Sequence, residues 1–396
     1  MGLRLADSFP YHFCTTAPFC PFQNVKQYGQ NDLMDPPVPS RCYALRNATF
    51  RGISMSDLLN DSPQALQWLE EAERRHSSGA FGKIARSIIW LDARSDEGEL
   101  LLDLNPHDLV ANVNESPFSL LHNHDPGQPK GQVLESAYFQ TASGREFVAA
   151  ILGYYLGGNV LAFRDLELDI TSTVRPPLKL PDLPDDVRIE IAVDPRDVDD
   201  AWLDEATSDA PVRIKRTALS HNADGSSQQL IMIGIAFVLL VGKPFVTAFA
   251  SEAGKDSYFA IRGWTRKLLS RMADRHDPIL DFHSRYDGCQ VSFIFRGKDV
   301  KKLYEAHDAL SDAASQAARL VSRLKAMGLP SRQLVYEFDK EGLLWSPSFA
   351  VLEDDRILTD NLALISIEQL PNQLSLGLAK KKSLVSDVKK TTKQKS

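Results

Sequence analysis

Two histidines and an aspartate, His122, His124 and Asp125, crowd the end of an apolar run in the stretch SPFSLLHNHDPGQPKGQVLESAYF (116–139). Imidazole titrates near neutral pH and can act as a general base when a neighbouring carboxylate fixes its tautomer. His122 and His124 are two apart, so on a strand their side chains share one face, which also suits metal ligation. An apolar run ending in a Pro/Gly turn places its last residues at a domain rim, where a rigid strand can hold functional groups. A second set is His12, Cys14, Cys20 and Cys42. Thiolates and an imidazole can close a structural zinc site. Their spacing, H-x-C-x5-C-x21-C, contains no C-x2-C pair, and dispersed free cysteines are the commoner outcome. No cofactor is therefore assigned, and structural zinc at these four residues stands as the alternative.

The elements that must position these residues follow from periodicity and punctuation. Residues 54–75 have helical spacing at Leu58, Leu59, Leu66 and Leu69, and Ser62-Pro63 forms a natural N-cap and first helical position. Beyond Gly79, short strand-like runs (83–93, 98–104, 116–124, 131–139, 145–155 and 159–170) alternate with Gly, Pro and Asn turns. Residues 173–186 hold Pro176, Pro177, Pro181 and Pro184 and read as a stiff linker. Afterwards strands and helices alternate: a strand at 187–193, a helix from near Asp197, and a basic helix at 257–272. A strand at 288–297 precedes a long helix at 299–327, and further strands close the region. Such alternation predicts an α/β domain.

The expected organisation has an irregular N-terminal segment with one helix (1–79) and a β-rich domain (80–175). A Pro-rich linker (176–186), an α/β domain (187–372) and a disordered basic tail (373–396) follow. The fold class is α+β, an N-terminal β-rich domain followed by a separate α/β domain.

Composition bounds function. The 396 residues carry 45 Lys plus Arg against 52 Asp plus Glu, a formal net charge of −7, which excludes a whole-protein basic field for nucleic acid. Residues 380–396 hold seven lysines and one aspartate, a polybasic tail suited at most to weak contact with an anionic surface. Four cysteines are too few to staple a secreted scaffold, so a reducing, cytoplasmic setting is expected, and no cleaved leader is read at the N-terminus. Residues 230–242 are uncharged but too short for a membrane span, and Lys243-Pro244 interrupts the continuation. The stretch is read as a buried core helix, with an interfacial or homo-oligomer contact as the alternative.

The box resembles that of the tailed-phage prohead proteases, whose fold is related to the herpesvirus assemblins. The resemblance covers roughly residues 80–175 and rests on Leu120, Leu121, Asn123, His124, Asp125, Pro126, Pro129, Gly131 and Val133. It implies a serine peptidase with His124 as base and Asp125 or Glu135 as the orienting group. The family's Leu-Ser-x-Gly-aromatic segment is missing from this chain. Ser136 and Ser143 lack its context too, which leaves Ser172 or Ser220 as substitute nucleophiles, or a catalytically degenerate domain. Two expectations follow. One is a peptidase-like protein acting on a protein substrate. The other is a non-catalytic interaction or effector protein of phage–host conflict that meets a protein partner through its α/β domain, apolar helix and basic tail.

Overall fold

The computed structural model describes residues 55–77, 79–94, 98, 100, 104–115, 118–122, 125–166, 188–220, 228–241, 252–366, 374–375 and 378–380. Residues 47–396 cluster as one compact unit. Its class is α+β, with two separate sheets.

The first sheet is antiparallel throughout. Helices α1 (Met55–Asn60) and α2 (Pro63–Arg75) precede β1 (Lys83–Leu91), followed by α3 (Pro106–Glu115), β2 (Phe118–His122), β3 (Pro129–Gln140) and β4 (Glu146–Tyr154). Spatial order is β1-β4-β3-β2, and Leu374–Ser375 adds a short fifth strand, β13, on the outer edge of β2. Alternation along β4 divides its burial between two layers. Phe147, Ala149 and Ile151 pack under α1 and α2, whereas Val148, Ala150 and Leu152 pack with Leu109 and Val113 of α3. The sequence reading missed α3. Its start is nonetheless written locally: Pro106 fills the first helical position, and Asn105 Oδ1 accepts the amides of His107 and Asp108.

The second sheet has nine strands. In chain order they are β5 (Arg188–Val193), β6 (Arg213–Ser220), β7 (Gln229–Gly234), β8 (Pro278–Tyr286), β9 (Cys289–Arg296), β10 (Ser331–Asp339), β11 (Leu344–Leu352), β12 (Ile357–Leu358) and β14 (Leu378–Lys380). Their spatial order is β12-β11-β10-β9-β8-β7-β5-β6-β14. Three adjacent pairs are parallel, β5/β6, β7/β8 and β9/β10, and helical crossovers join each pair. The crossovers are α4 (Asp200–Thr207), then α5 (Phe237–Val241) with α6 (Glu252–Arg271), then α7 (Val300–Ala326). All four helices bury apolar residues against one face, where Ile191, Ile233, Phe282, Phe293 and Tyr336 meet them. On the opposite face Leu230, Ile279, Ile294, Val335 and Phe349 pack with Phe81 and Tyr155 from the first sheet's end.

Three expectations are corrected here. The apolar stretch is not one helix: residues 229–234 form β7 and 237–241 form α5, although Leu230, Ile231, Ile233 and 237–241 are all buried. Residues 159–166 do not form a strand. Leu161 makes one bridge to Leu358, and a 3-10 turn follows at Phe163–Leu166. Residues 374–375 and 378–380, placed in a disordered tail, are strand-paired because β2 and β6 each offer an open edge. The linker at 176–186 and residues 381–396 lie outside the described residues. Among those described, no helix is long and apolar enough to cross a membrane.

Candidate functional site

Of the histidine box, His122 ends β2 and Asp125 opens the turn that leads into β3. Gln128 N donates to Asp125 O across a four-residue turn with Pro126 at its second position, where the ring presets φ. Asp125 Oδ1 accepts the Gly127 amide at 2.8 Å, an Asx turn. His122 N donates to Gln128 O, which closes the loop on the strand end. The sequence thus builds a tight turn whose residues Asp125, Pro126 and Gly127 are buried, Asp125 only 5% exposed.

Asp125 meets an arginine of the second sheet. Arg296, the last residue of β9, donates Nη1 to Asp125 Oδ2 and Nη2 to Asp125 Oδ1, both at 2.7 Å. The same guanidinium donates to Glu337 Oε1 on the neighbouring β10, from Nη2 at 2.6 Å and Nε at 3.2 Å. Two parallel bonds between guanidinium and carboxylate give the strongest geometry available to such a pair. Burial works against the guanidinium charge, but the Asp125 and Glu337 contacts outweigh it, so its pKa is raised. Gly127 is needed for this approach: a Cβ there would collide with Arg296 Nη2 and Glu337 Oε1. Gly131 has a parallel role one step on, because a Cβ would strike the carbonyl oxygen of Gly153 across the β3/β4 ladder.

Near the pair lies a third carboxylate. Asp281 on β8 is 1% exposed and receives Ser292 Oγ on Oδ2 at 3.4 Å, while Oδ1 has no hydrogen-bond partner. Burial raises its pKa; His283, Ser292 and Arg296 pull the other way without reversing it, and Asp125 adds to the rise. His283 follows two residues on along the same strand and pairs in register with Ser292, and its buried Nδ1 also lacks a partner. Lys130 and Tyr155 are two further polar groups buried at the end of the first sheet. Buried Lys130 Nζ reaches Leu364 O at 2.6 Å, and the Tyr155 hydroxyl accepts from Gln132 Nε2, with burial pushing the phenol pKa up to about 12.

Of the other expected site residues, those described do not meet at Asp125. His124, Ser172, His12, Cys14, Cys20 and Cys42 lie outside the described residues. Ser220 ends β6, where it pairs in register with Leu378. Ser136 is buried, and its backbone and hydroxyl are clasped by Asn114 of α3. Ser143 sits in the β3–β4 turn and donates to Asp61 at 2.8 Å. Glu135, the alternative orienting group, points elsewhere: it binds Arg75 Nη2 at 2.7 Å and His76 Nε2 at 2.9 Å beside α2. Burial raises its pKa, but these two partners more than offset that and leave it lowered. Among the described residues, no cluster of three or more His, Cys, Asp or Glu could hold a metal ion.

Sequence reasoning missed Arg296, Glu337, Asp281 and His283. The visible signal was a charge inside an apolar run, as in PILDF and FIFRG, where a buried strand must pair what it cannot solvate. No protein-family model, no curated protein and no solved structure matches the chain.

Proposed function

We propose that this chain is a non-catalytic interaction protein built on a degenerate peptidase-like hairpin. The observation that carries this reading is the commitment of Asp125. Both of its oxygens are bonded to Arg296 and one also to the Gly127 amide, so the carboxylate serves as an anchor between sheets. A carboxylate that orients a catalytic imidazole needs an oxygen facing that ring. The alternative carboxylate, Glu135, is bonded to Arg75 and His76. On this reading the hairpin has exchanged a role in proton transfer for one in holding the two sheets together. Its partner is a protein, met in the cytoplasm, a setting supported by sparse cysteine usage.

An activity-based fluorophosphonate probe tests the proposal on the full chain. Expected is no labelling that depends on His124, so that wild type and His124→Ala give the same background. Labelling of the wild type that disappears in His124→Ala, with a matching loss in Ser172→Ala or Ser220→Ala, would restore the peptidase and overturn the proposal.

A further inference from the structure

Two polar atoms without a partner belong to neighbouring side chains on the inner face of the second sheet. Asp281 and His283 are two residues apart on β8, so their side chains leave the strand on the same side. That side faces the first sheet, because Ile279 of the same file packs with Phe81 and Tyr155. Among the described residues, Asp281 Oδ1 and His283 Nδ1 are buried with no hydrogen-bond partner. Gly234 of β7 pairs in register with His283, and a Cβ there would lie 3.0 Å from His283 Nε2, so the imidazole leans over a position that only glycine leaves open.

A buried carboxyl with no donor on one oxygen is most stable with its proton in place. Ionised, it needs a cation, and two are within reach of its charge. His283 attracts it along the strand, and Arg296 attracts it from β9, where Ile294 stands opposite Asp281 and Arg296 follows two residues on along the same face. Asp125 repels it. Glu337 on β10 shares Arg296. Glu190 on β5 feels His283 from across Gly234, and is itself held by Lys215 and flanked by Arg188. Arg296 is already committed, with Nη1, Nη2 and Nε given to Asp125 and Glu337. An ionised Asp281 can therefore draw on this guanidinium only by weakening its hold on Asp125.

We infer that Asp281 and His283 form a proton-operated release for the hairpin turn at 125–128. While the pair carries at least one proton it is neutral or positive, and Arg296 stays with Asp125. Loss of the last proton to solvent leaves the pair negative. Arg296 is then drawn toward Asp281, and the turn loosens from the second sheet. Burial makes the Asp281 carboxyl hold its proton more tightly than the unfolded chain does, so the joint is firm in acid and slackens as pH climbs through the folded pKa. Imidazole changes charge in the neutral range, and coupling to it lets the pair respond there.

Amide hydrogen exchange of the full chain between pH 5 and pH 8, corrected for intrinsic exchange, tests this. Gly127 donates to Asp125 Oδ1 and Gln128 to Asp125 O, so their amides report the turn, with Ala149, Ala150 and Ile151 of β4 as the internal standard. Expected in the wild type is a loss of protection at Gly127 and Gln128 at least tenfold larger than at the β4 amides as pH rises. The loss should vanish in Asp281→Asn. A packing role for Asp281 would instead shift protection equally at every pH. A flat wild-type profile, or the same loss in Asp281→Asn, would overturn the inference. Should Asp281→Asn fail to fold, His283→Gln decides. It removes the imidazolium that compensates an ionised Asp281, so the loss should begin about half a pH unit or more lower, and an unmoved profile refutes the coupling.

Discussion

Replacing Arg296 with methionine removes the cation that Asp125 and Glu337 share, and the cost can be worked from their surroundings. Among the described residues Asp125, at 5% exposure, has three N–H donors to its carboxylate; it loses the two from Arg296 and keeps the Gly127 amide. Removing one partner of a buried ion pair in this way costs about 3–5 kcal/mol, because the remaining charge is left without compensation. Glu337 has a side chain 30% exposed and can rehydrate, so its share is about 0–1 kcal/mol, as for a surface pair. Asp125→Asn removes the charge instead, and Arg296 keeps Glu337, so about 1–2 kcal/mol is expected. The double variant then costs less than the sum of the singles, with a coupling of about 2 kcal/mol or more. Urea unfolding measures this. With a slope of about 3 kcal/mol/M, Arg296→Met should lower the midpoint by about 1 M or more at unchanged slope. A cost below about 1 kcal/mol, or strict additivity in the cycle, would refute the claim that this pair fastens the sheets.

Asp281→Asn should stabilise the protein at pH 7, because the amide leaves no charge to be held in this buried site. A raised carboxyl pKa means that the native state keeps a proton the unfolded chain has released. This group's contribution therefore falls as pH climbs from the unfolded carboxyl range, about 4, through the higher folded pKa. The stability gap between variant and wild type should widen over that rise, and a gap constant from pH 4 to 7 would exclude the assignment. Gly127→Ala should displace the Arg296 fork and cost about 1–3 kcal/mol in the wild type, yet markedly less in an Arg296→Met background. Thermal melts of the four proteins check this, and equal losses in both backgrounds would show that Gly127 acts independently of Arg296.

Where the periodic signal was long, the sequence disclosed the element. Helix α7 was legible because Leu303, Ala306, Leu310, Ala313 and Ala317 repeat at helical spacing behind an N-cap at Asp299, which accepts the amides of Lys301 and Lys302. Strands β3 and β4 were legible from alternation and a Gly-bearing turn. The run 230–241 misled because burial on all sides erases periodicity, leaving only Gly234, where a strand gives way to a helix, as a weak mark. Only two residues of α3, Leu109 and Val113, are buried, too few for a stripe, so its cap was the sole usable evidence. The candidate site was half legible. The turn around Asp125 could be read locally, but its partner Arg296 stands 171 residues away, and no local rule says which buried charge meets which.

The pairing of Leu374 with His122 also sets a timetable for the chain as it is made. At about 5–20 residues per second, the roughly 250 residues between these two positions take tens of seconds to synthesise. Over that interval β2 has emerged while the segment that will flank it does not yet exist. Arg296 too is made long after Asp125, so neither the edge nor the buried carboxylate of the hairpin has its final partner during the early part of translation. The first sheet must therefore persist as an unfinished body, with an open strand edge exposed to neighbouring nascent chains. Slowing elongation downstream of residue 300 would lengthen that exposure, and the risk of mispairing would rise with it.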